Sequence, residues 1–256
     1  MVNVIDSKPK PPKFVYEKWA VEKPKDNASR LEKDRFVDRE LERWVTGWKG
    51  ISGRHYMYLT CGSIRETSGQ IIKPVWRDGD QMVFEEYQDC IKMGEDLMVV
   101  KRREFGLTSI FAGMEPIYNA IINKGSTSLI TSADAKRLQT AFSEKVMVFY
   151  SNLEDDFRPA HLRERMAGFL HMGVKNKETN KIDGTDSKVY CIETASSDTN
   201  AKAFEAYRSN YIFLDELFIH PRAGVVRSSA QATLSKGFSK MGAMVLGGSC
   251  GSESKE

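Results

Sequence analysis

Four short runs, residues 97–100, 128–131, 211–214 and 243–246, constrain this chain more than any other feature. Each is brief and largely apolar, which reads as a strand covered on both faces rather than a half-exposed one. Stretches with helical spacing separate them. Residues 80–93 carry Met82, Val83, Tyr87, Cys90 and Ile91 at that spacing, and further helices are expected over 107–122, from Ala133 to about Leu153 with Ser132 as cap, over 201–207 and over 224–235. Strands alternating with helices predict an α/β domain, a mainly parallel sheet with helices on both faces. Residues 165–172 and 188–194, joined by the turn-rich segment 176–184, read as a β-hairpin insertion. Toward the amino end, residues 55–60 read as extended. Ser29 and Glu32 resemble a capping box ahead of a helix whose Val37, Leu41, Trp44, Val45 and Trp48 share one face. Residues 1–28 are basic and Pro-rich and read as a mobile arm.

The bulk numbers bound the function without choosing it. With 256 residues, 41% apolar and 29% charged, the chain has the balance of an ordinary globular domain. A net charge of +3 is too small to argue for nucleic-acid binding. No apolar run reaches the length of a membrane span, and the amino end lacks a secretory apolar region. Cys61, Cys90, Cys191 and Cys250 form no C-x-x-C pair, so free thiols are expected and a zinc site is not.

The chemistry concentrates at strand ends. After the run 97–100 comes Lys101-Arg102-Arg103-Glu104-Phe105-Gly106-Leu107-Thr108-Ser109, a strand–loop–helix layout of the kind that cradles nucleotide phosphates. The usual pattern, G-x-x-x-x-G-K-S/T, needs glycine where Lys101 stands and lysine where Leu107 stands. Gly106 and the Thr108 hydroxyl are in place, and the lysine is at the start of the loop instead. About a hundred residues on, the run 211–214 ends in Asp215-Glu216. Adjacent carboxylates at a strand end point different ways and can divide the work: Asp215 with Thr108 to hold Mg2+, Glu216 to orient and deprotonate water. Each motif alone is common, and the argument lies in their coincidence. Upstream, Trp76, Tyr87 and Gln88 suit an adenine site, since an aromatic ring stacks on the base and an amide both donates to and accepts from its edge. Downstream, Gly247-Gly248-Ser249 reads as a small polar turn at a neighbouring strand end.

Taken together, Tyr87-Gln88, the loop 101–109, the acidic strand end at 215–216 and Gly247-Gly248-Ser249 resemble, in order and spacing, the ATPase domain of the large terminase subunit of tailed bacteriophages. In some members the loop lysine is displaced to the first position, where Lys101 stands. The resemblance covers residues 76–252 well and the amino-terminal part loosely. It implies a P-loop NTPase fold of the RecA-like kind, with residues 29–75 as a lid-like helical segment and 76–256 as the ATPase core. It further implies ATP and Mg2+ as cofactors and Arg103 as a cis arginine finger. Arg208 would be the arginine that precedes the acidic strand, and Gly247, Gly248 and Ser249 the coupling element. The partners it implies are double-stranded viral DNA, the portal protein of the procapsid and the small terminase subunit, with a homo-oligomeric ring when docked or a monomer in isolation. The place would be the host cytoplasm, transiently at the portal vertex. Full members of the family continue into a nuclease domain; no nuclease carboxylate cluster can be placed in this sequence, so no DNA cleavage is expected of it. Two other functions compete: a helicase-like ATPase acting on nucleic acid, and a nucleotide-binding interaction module without turnover of its own.

Overall fold

The computed structural model describes residues 22–66, 68–101, 105–165, 168–236 and 239–249. Most of the amino-terminal arm, and Arg102, Arg103 and Glu104 of the loop, lie outside them. Helix α1 (Arg30–Thr46) begins at the expected capping box: Ser29 Oγ accepts from the Glu32 N–H and Glu32 accepts in return from the Ser29 N–H. Its buried face is Phe36, Glu40 and Trp44, one helical period apart. Val45 points outward, 61% exposed, and Trp48 falls beyond the helix in a bridge with Ile51. Residues 55–60 are not extended. They belong to helix α2 (Gly53–Cys61), capped by Ser52, and eight of its nine residues are buried. A helix covered on all sides has no polar stripe, so the 3.6-residue period that would betray it is missing. Helix α3 (Asp78–Met93) ends at Gly94 in the left-handed conformation.

The central sheet has seven strands: β1 (Leu97–Lys101), β2 (Thr127–Thr131), β3 (His161–Arg165), β4 (Phe169–Lys175), β5 (Ile182–Cys191), β6 (Tyr211–Leu214) and β7 (Ala243–Ser249). Their order is β1-β7-β6-β2-β5-β4-β3. The first five in that order are parallel; β4 then pairs antiparallel with β5, and β3 antiparallel with β4 at the edge. The hairpin read from the sequence is therefore no separate insertion: β5 pairs with β2 at one side and with β4 at the other, extending the main sheet. β7 runs three residues further than the expected 243–246, through Gly247, Gly248 and Ser249.

Alternate residues of the inner strands face opposite layers, as a sheet covered on both faces requires. Tyr211, Phe213, Val245 and Ile130 pack with α2, α3 and the helix that follows the loop; Ile212, Leu214, Met244, Leu246 and Leu129 pack with Phe204 and helix α7 (Ala223–Thr233, numbered after α4 to α6 below). Phe36 and Trp44 of α1 join the first of these cores. After the loop the chain makes a π-helical turn, Ser109–Met114, before α4 (Glu115–Ile122). The wider turn precedes Pro116, whose ring would crowd the carbonyl four residues back in α-helical register. The long helix expected from Ala133 is one helical run in three pieces: α5 (Ala135–Ala141), a π-turn Phe142–Val146 and α6 (Met147–Ser151). Its cap is Asp134, accepting from the Arg137 N–H at 2.8 Å, and not Ser132.

Candidate active site

The order of the sheet explains how residues a hundred positions apart meet. β7 lies between β1 and β6, so three parallel strands end side by side at their carboxyl ends. Such ends are where open α/β sheets bind ligands. β1 delivers Lys101, β6 delivers Asp215 and Glu216, and β7 delivers Ser249, which is in register with Lys101. The helix after the loop brings Thr108.

The contacts are direct. Thr108 Oγ1 donates to Asp215 Oδ2 at 3.2 Å. Ser249 Oγ lies 3.0 Å from Glu216 Oε1 and 3.2 Å from Oε2, and the Ser249 N–H is 3.4 Å from Oε2. Lys101 Nζ stands 3.9 Å from Glu216 Oε1, with its side chain only 8% exposed. Glu216 has left-handed backbone angles, φ 53° and ψ 38°, costly for a residue with a β-carbon. That turn sends Asp215 toward Thr108 and Glu216 toward Ser249, so the two carboxylates face different partners.

Gly247, Gly248 and Ser249 were expected in a turn but are extended, paired with Val99, Val100 and Lys101. The glycines are needed for space. A β-carbon on Gly247 would lie 2.9 Å from Leu107 Cδ2, and one on Gly248 would lie 2.1 Å from the Phe218 ring. Leu107 itself is fully buried beneath the loop. The position at which the common pattern has its lysine thus faces the core here, while Lys101 places its ammonium among the carboxylates.

Burial, and next the neighbouring Glu216 charge, push the Asp215 carboxyl up to about 6; Lys101, the Thr108 hydroxyl and the Glu216 N–H pull the other way. The sign of the consequence is opposite to that of a salt-bridged acid. Between the ordinary value of 3.8 and about 6, the folded state holds a proton that the unfolded chain has released, so stability falls as pH rises through that window. Ligand-free Asp215→Asn is expected to exceed wild type by about 1–3 kcal/mol near neutral pH, with the difference vanishing below the window. Urea denaturation at both pH values checks this; equal stabilities at neutral pH would refute it.

Among the described residues no group of three or more His, Cys, Asp or Glu side chains stands ready to hold a metal. One hydroxyl and one carboxylate, both hard oxygen donors, fit Mg2+, which is commonly bound by one or two protein oxygens with the rest of its shell from phosphates and water.

The adenine residues fare differently. Tyr87 is 1% exposed and its hydroxyl donates to the buried Glu115 at 3.0 Å, with its ring edge on Phe111 and the Arg54 guanidinium over its face. It is a core residue and cannot stack on a base. Gln88 is half-buried and lines a shallow cleft with residues 46–52, not with the loop. Trp76 is half-buried, its ring stacked on His55 and its Nε1–H donating to Asp78 at 3.1 Å. Arg208 precedes the amino end of β6, the far end from Asp215, and takes no part in this cluster.

The first turn of α3 meets the loop instead. Phe105 packs over Gly79, and the Arg77 guanidinium, 5.8 Å from the Phe105 ring, rests on Gly106. Arg77 donates from Nε and Nη2 to the two oxygens of Asp80, at 2.9 and 2.8 Å. No sequence motif marks this pair; an arginine and an aspartate three apart at a helix start, ahead of a glycine-bearing loop, are the one available signal.

Solved structures similar to this chain include large terminases of bacteriophages. The large terminase ATPase domain of Thermus phage P74-26 shares 16% identity over 62% of this chain and 61% of that one, with a TM-score of 0.43. The large terminase of the thermophilic bacteriophage D6E, in complex with ADP, shares 12% over 60% of this chain and 33% of that one, with a TM-score of 0.40. For the HK97 bacteriophage large terminase the figures are 9%, 69% and 33%, with a TM-score of 0.49. The chain spans less than two thirds of the length of each. No protein-family model and no curated protein sequence matches it.

Proposed function

We propose that this chain is the ATPase part of a DNA-packaging motor, hydrolysing ATP to move double-stranded viral DNA into a procapsid. One observation carries the hydrolytic half of the reading: Lys101, Thr108, Asp215, Glu216 and Ser249 converge at the carboxyl ends of three adjacent parallel strands. The packaging half rests on the order of motifs along the chain and on the displaced lysine.

The amino-terminal end of the helix after the loop, with its positive dipole end, favours the charge of the phosphates there. Lys101 adds the positive charge that Leu107 cannot. Thr108 and Asp215 would hold Mg2+, which when bound offsets charge on the phosphate oxygens. Glu216, fixed by Ser249, orients the attacking water and takes its proton. Arg103 is proposed to stabilise charge developing on the γ-phosphoryl. Because Ser249 is the last residue of β7 and holds Glu216 directly, a change at the γ-phosphate is felt by that strand, a physical route for coupling through Gly247, Gly248 and Ser249. In this reading the chain acts as a homo-oligomeric ring with portal protein and small terminase subunit.

ATP turnover of the isolated chain, alone and with portal and small terminase, tests the reading, and no turnover under either condition would sink it. Lys101→Ala is expected to weaken ATP binding roughly tenfold or more, the scale of one lost charge-assisted contact. Equilibrium titration with a fluorescent ATP analogue measures this; unchanged affinity would remove Lys101 from the phosphate site.

A further inference from the structure

We propose that Arg77 is a phosphate-contacting residue of the nucleotide site: a guanidinium fixed against the loop that donates to the phosphate chain of the bound nucleotide. The inference rests on the nucleotide reading of the loop and adds a group that no sequence motif marks.

The geometry has three parts. First, Arg77 is fixed. Its Nε and Nη2 form a side-on pair with Asp80, whose carboxylate is almost wholly buried. A guanidinium already held in place loses little freedom on binding a further anion.

Second, it is placed on the loop. A β-carbon on Gly106 would lie 3.0 Å from Arg77 Nη2 and 3.7 Å from Nη1. Gly106 also has φ +88°, so glycine is required there for its backbone as well as for the arginine. The Gly106 carbonyl accepts from the Ser109 N–H at 2.9 Å, which puts Arg77 beside the helix start where an anion is favoured. Phe105, beneath the guanidinium and over Gly79, locks the two segments together.

Third, it has donors to spare. Nη1 makes no hydrogen bond among the described residues, and the side chain is 42% exposed. Asp80 offsets the charge of Arg77 but leaves the Nη1 edge free, and a guanidinium edge matches phosphate oxygens.

Calorimetric titration of the full chain with Mg-ADP and with inorganic pyrophosphate tests this, using wild type, Arg77→Ala and Arg77→Lys. Arg77→Ala should weaken both probes by a similar factor, roughly tenfold to a hundredfold. Arg77→Lys, which keeps a charge but cannot pair side-on with Asp80, should recover part of that loss. Unchanged ADP affinity in Arg77→Ala overturns the inference. So does a loss for ADP without one for pyrophosphate, which would make Arg77 a base contact. Equal losses in the alanine and lysine variants also overturn it, leaving only a structural clamp through Asp80. If wild type binds neither probe, the nucleotide reading itself fails, an outcome distinct from the others.

Discussion

Glu216→Gln should bind ATP about as tightly as wild type and hydrolyse it roughly 10²- to 10⁴-fold more slowly, the usual contribution of a positioned general base. The substitution keeps the shape of the side chain and leaves an amide oxygen to accept from the Ser249 hydroxyl, 3.0 Å away in wild type. It removes the capacity to take a proton. Asp215, Thr108 and the helix start are untouched, so nucleotide affinity is expected to hold. Ser249→Ala provides the comparison. It leaves the carboxylate intact and loosens its orientation, so its effect on turnover should be the smaller of the two. Single-turnover phosphate release under saturating ATP reads both variants. A Glu216→Gln protein that releases phosphate at the wild-type rate would show that another group activates the water, and a Ser249→Ala loss exceeding that of Glu216→Gln would show that Ser249 does more than hold it.

What the sequence made legible depends on whether a residue's task leaves a local pattern. Asp215-Glu216 follow an apolar strand at once, and the carboxyl end of a buried parallel strand is a place that chain order alone can specify. The strand 211–214 was readable to the residue for the same reason. Tyr87 shows how two signals can conflict. Asp80, Phe84 and Tyr87 are spaced for one face of a helix, and all three are buried in α3. Helical period favours Tyr87 in the core, while its place beside the Gln88 amide suits an aromatic ring stacked on a base. Residues 55–60 failed differently, because burial on every side erases the period that distinguishes a helix from a strand. The Gly247–Ser249 stretch looked like a turn because glycine ordinarily marks one. Here its glycines instead admit Leu107 and Phe218 side chains from outside the strand, a requirement that only tertiary packing sets. The Arg77–Asp80 pair was illegible because its partner, Gly106, is distant in sequence.

Restoring the common loop pattern by Leu107→Lys is expected to damage the protein rather than improve it. In a loop that already carries a lysine at its first position, a second at the usual place looks, from sequence alone, like a gain of phosphate affinity. The structure predicts otherwise. Leu107 is fully buried in the same core as Ile110, Phe111, Phe213 and Val245, and its Cδ2 occupies the space that the missing side chain of Gly247 leaves open. A lysine in that slot must either bury its ammonium without a partner or withdraw, leaving a void beneath the loop. Both routes cost roughly 3–5 kcal/mol, which in a domain of this size lowers the melting temperature by about 6–20 °C. If the new side chain does withdraw, it enters the cluster already served by Lys101, whose Nζ stands 3.9 Å from Glu216, and two ammonium groups near the same carboxylate repel each other. Turnover should therefore fall along with stability, and adding Lys101→Ala to Leu107→Lys should not restore it, because the packing defect under the loop remains. Thermal denaturation and ATP turnover of the single and double variants decide the matter. A Leu107→Lys protein that melts with wild type and hydrolyses ATP at least as fast would mean that this position can face the phosphates after all, and that Leu107 is not the reason the lysine stands elsewhere.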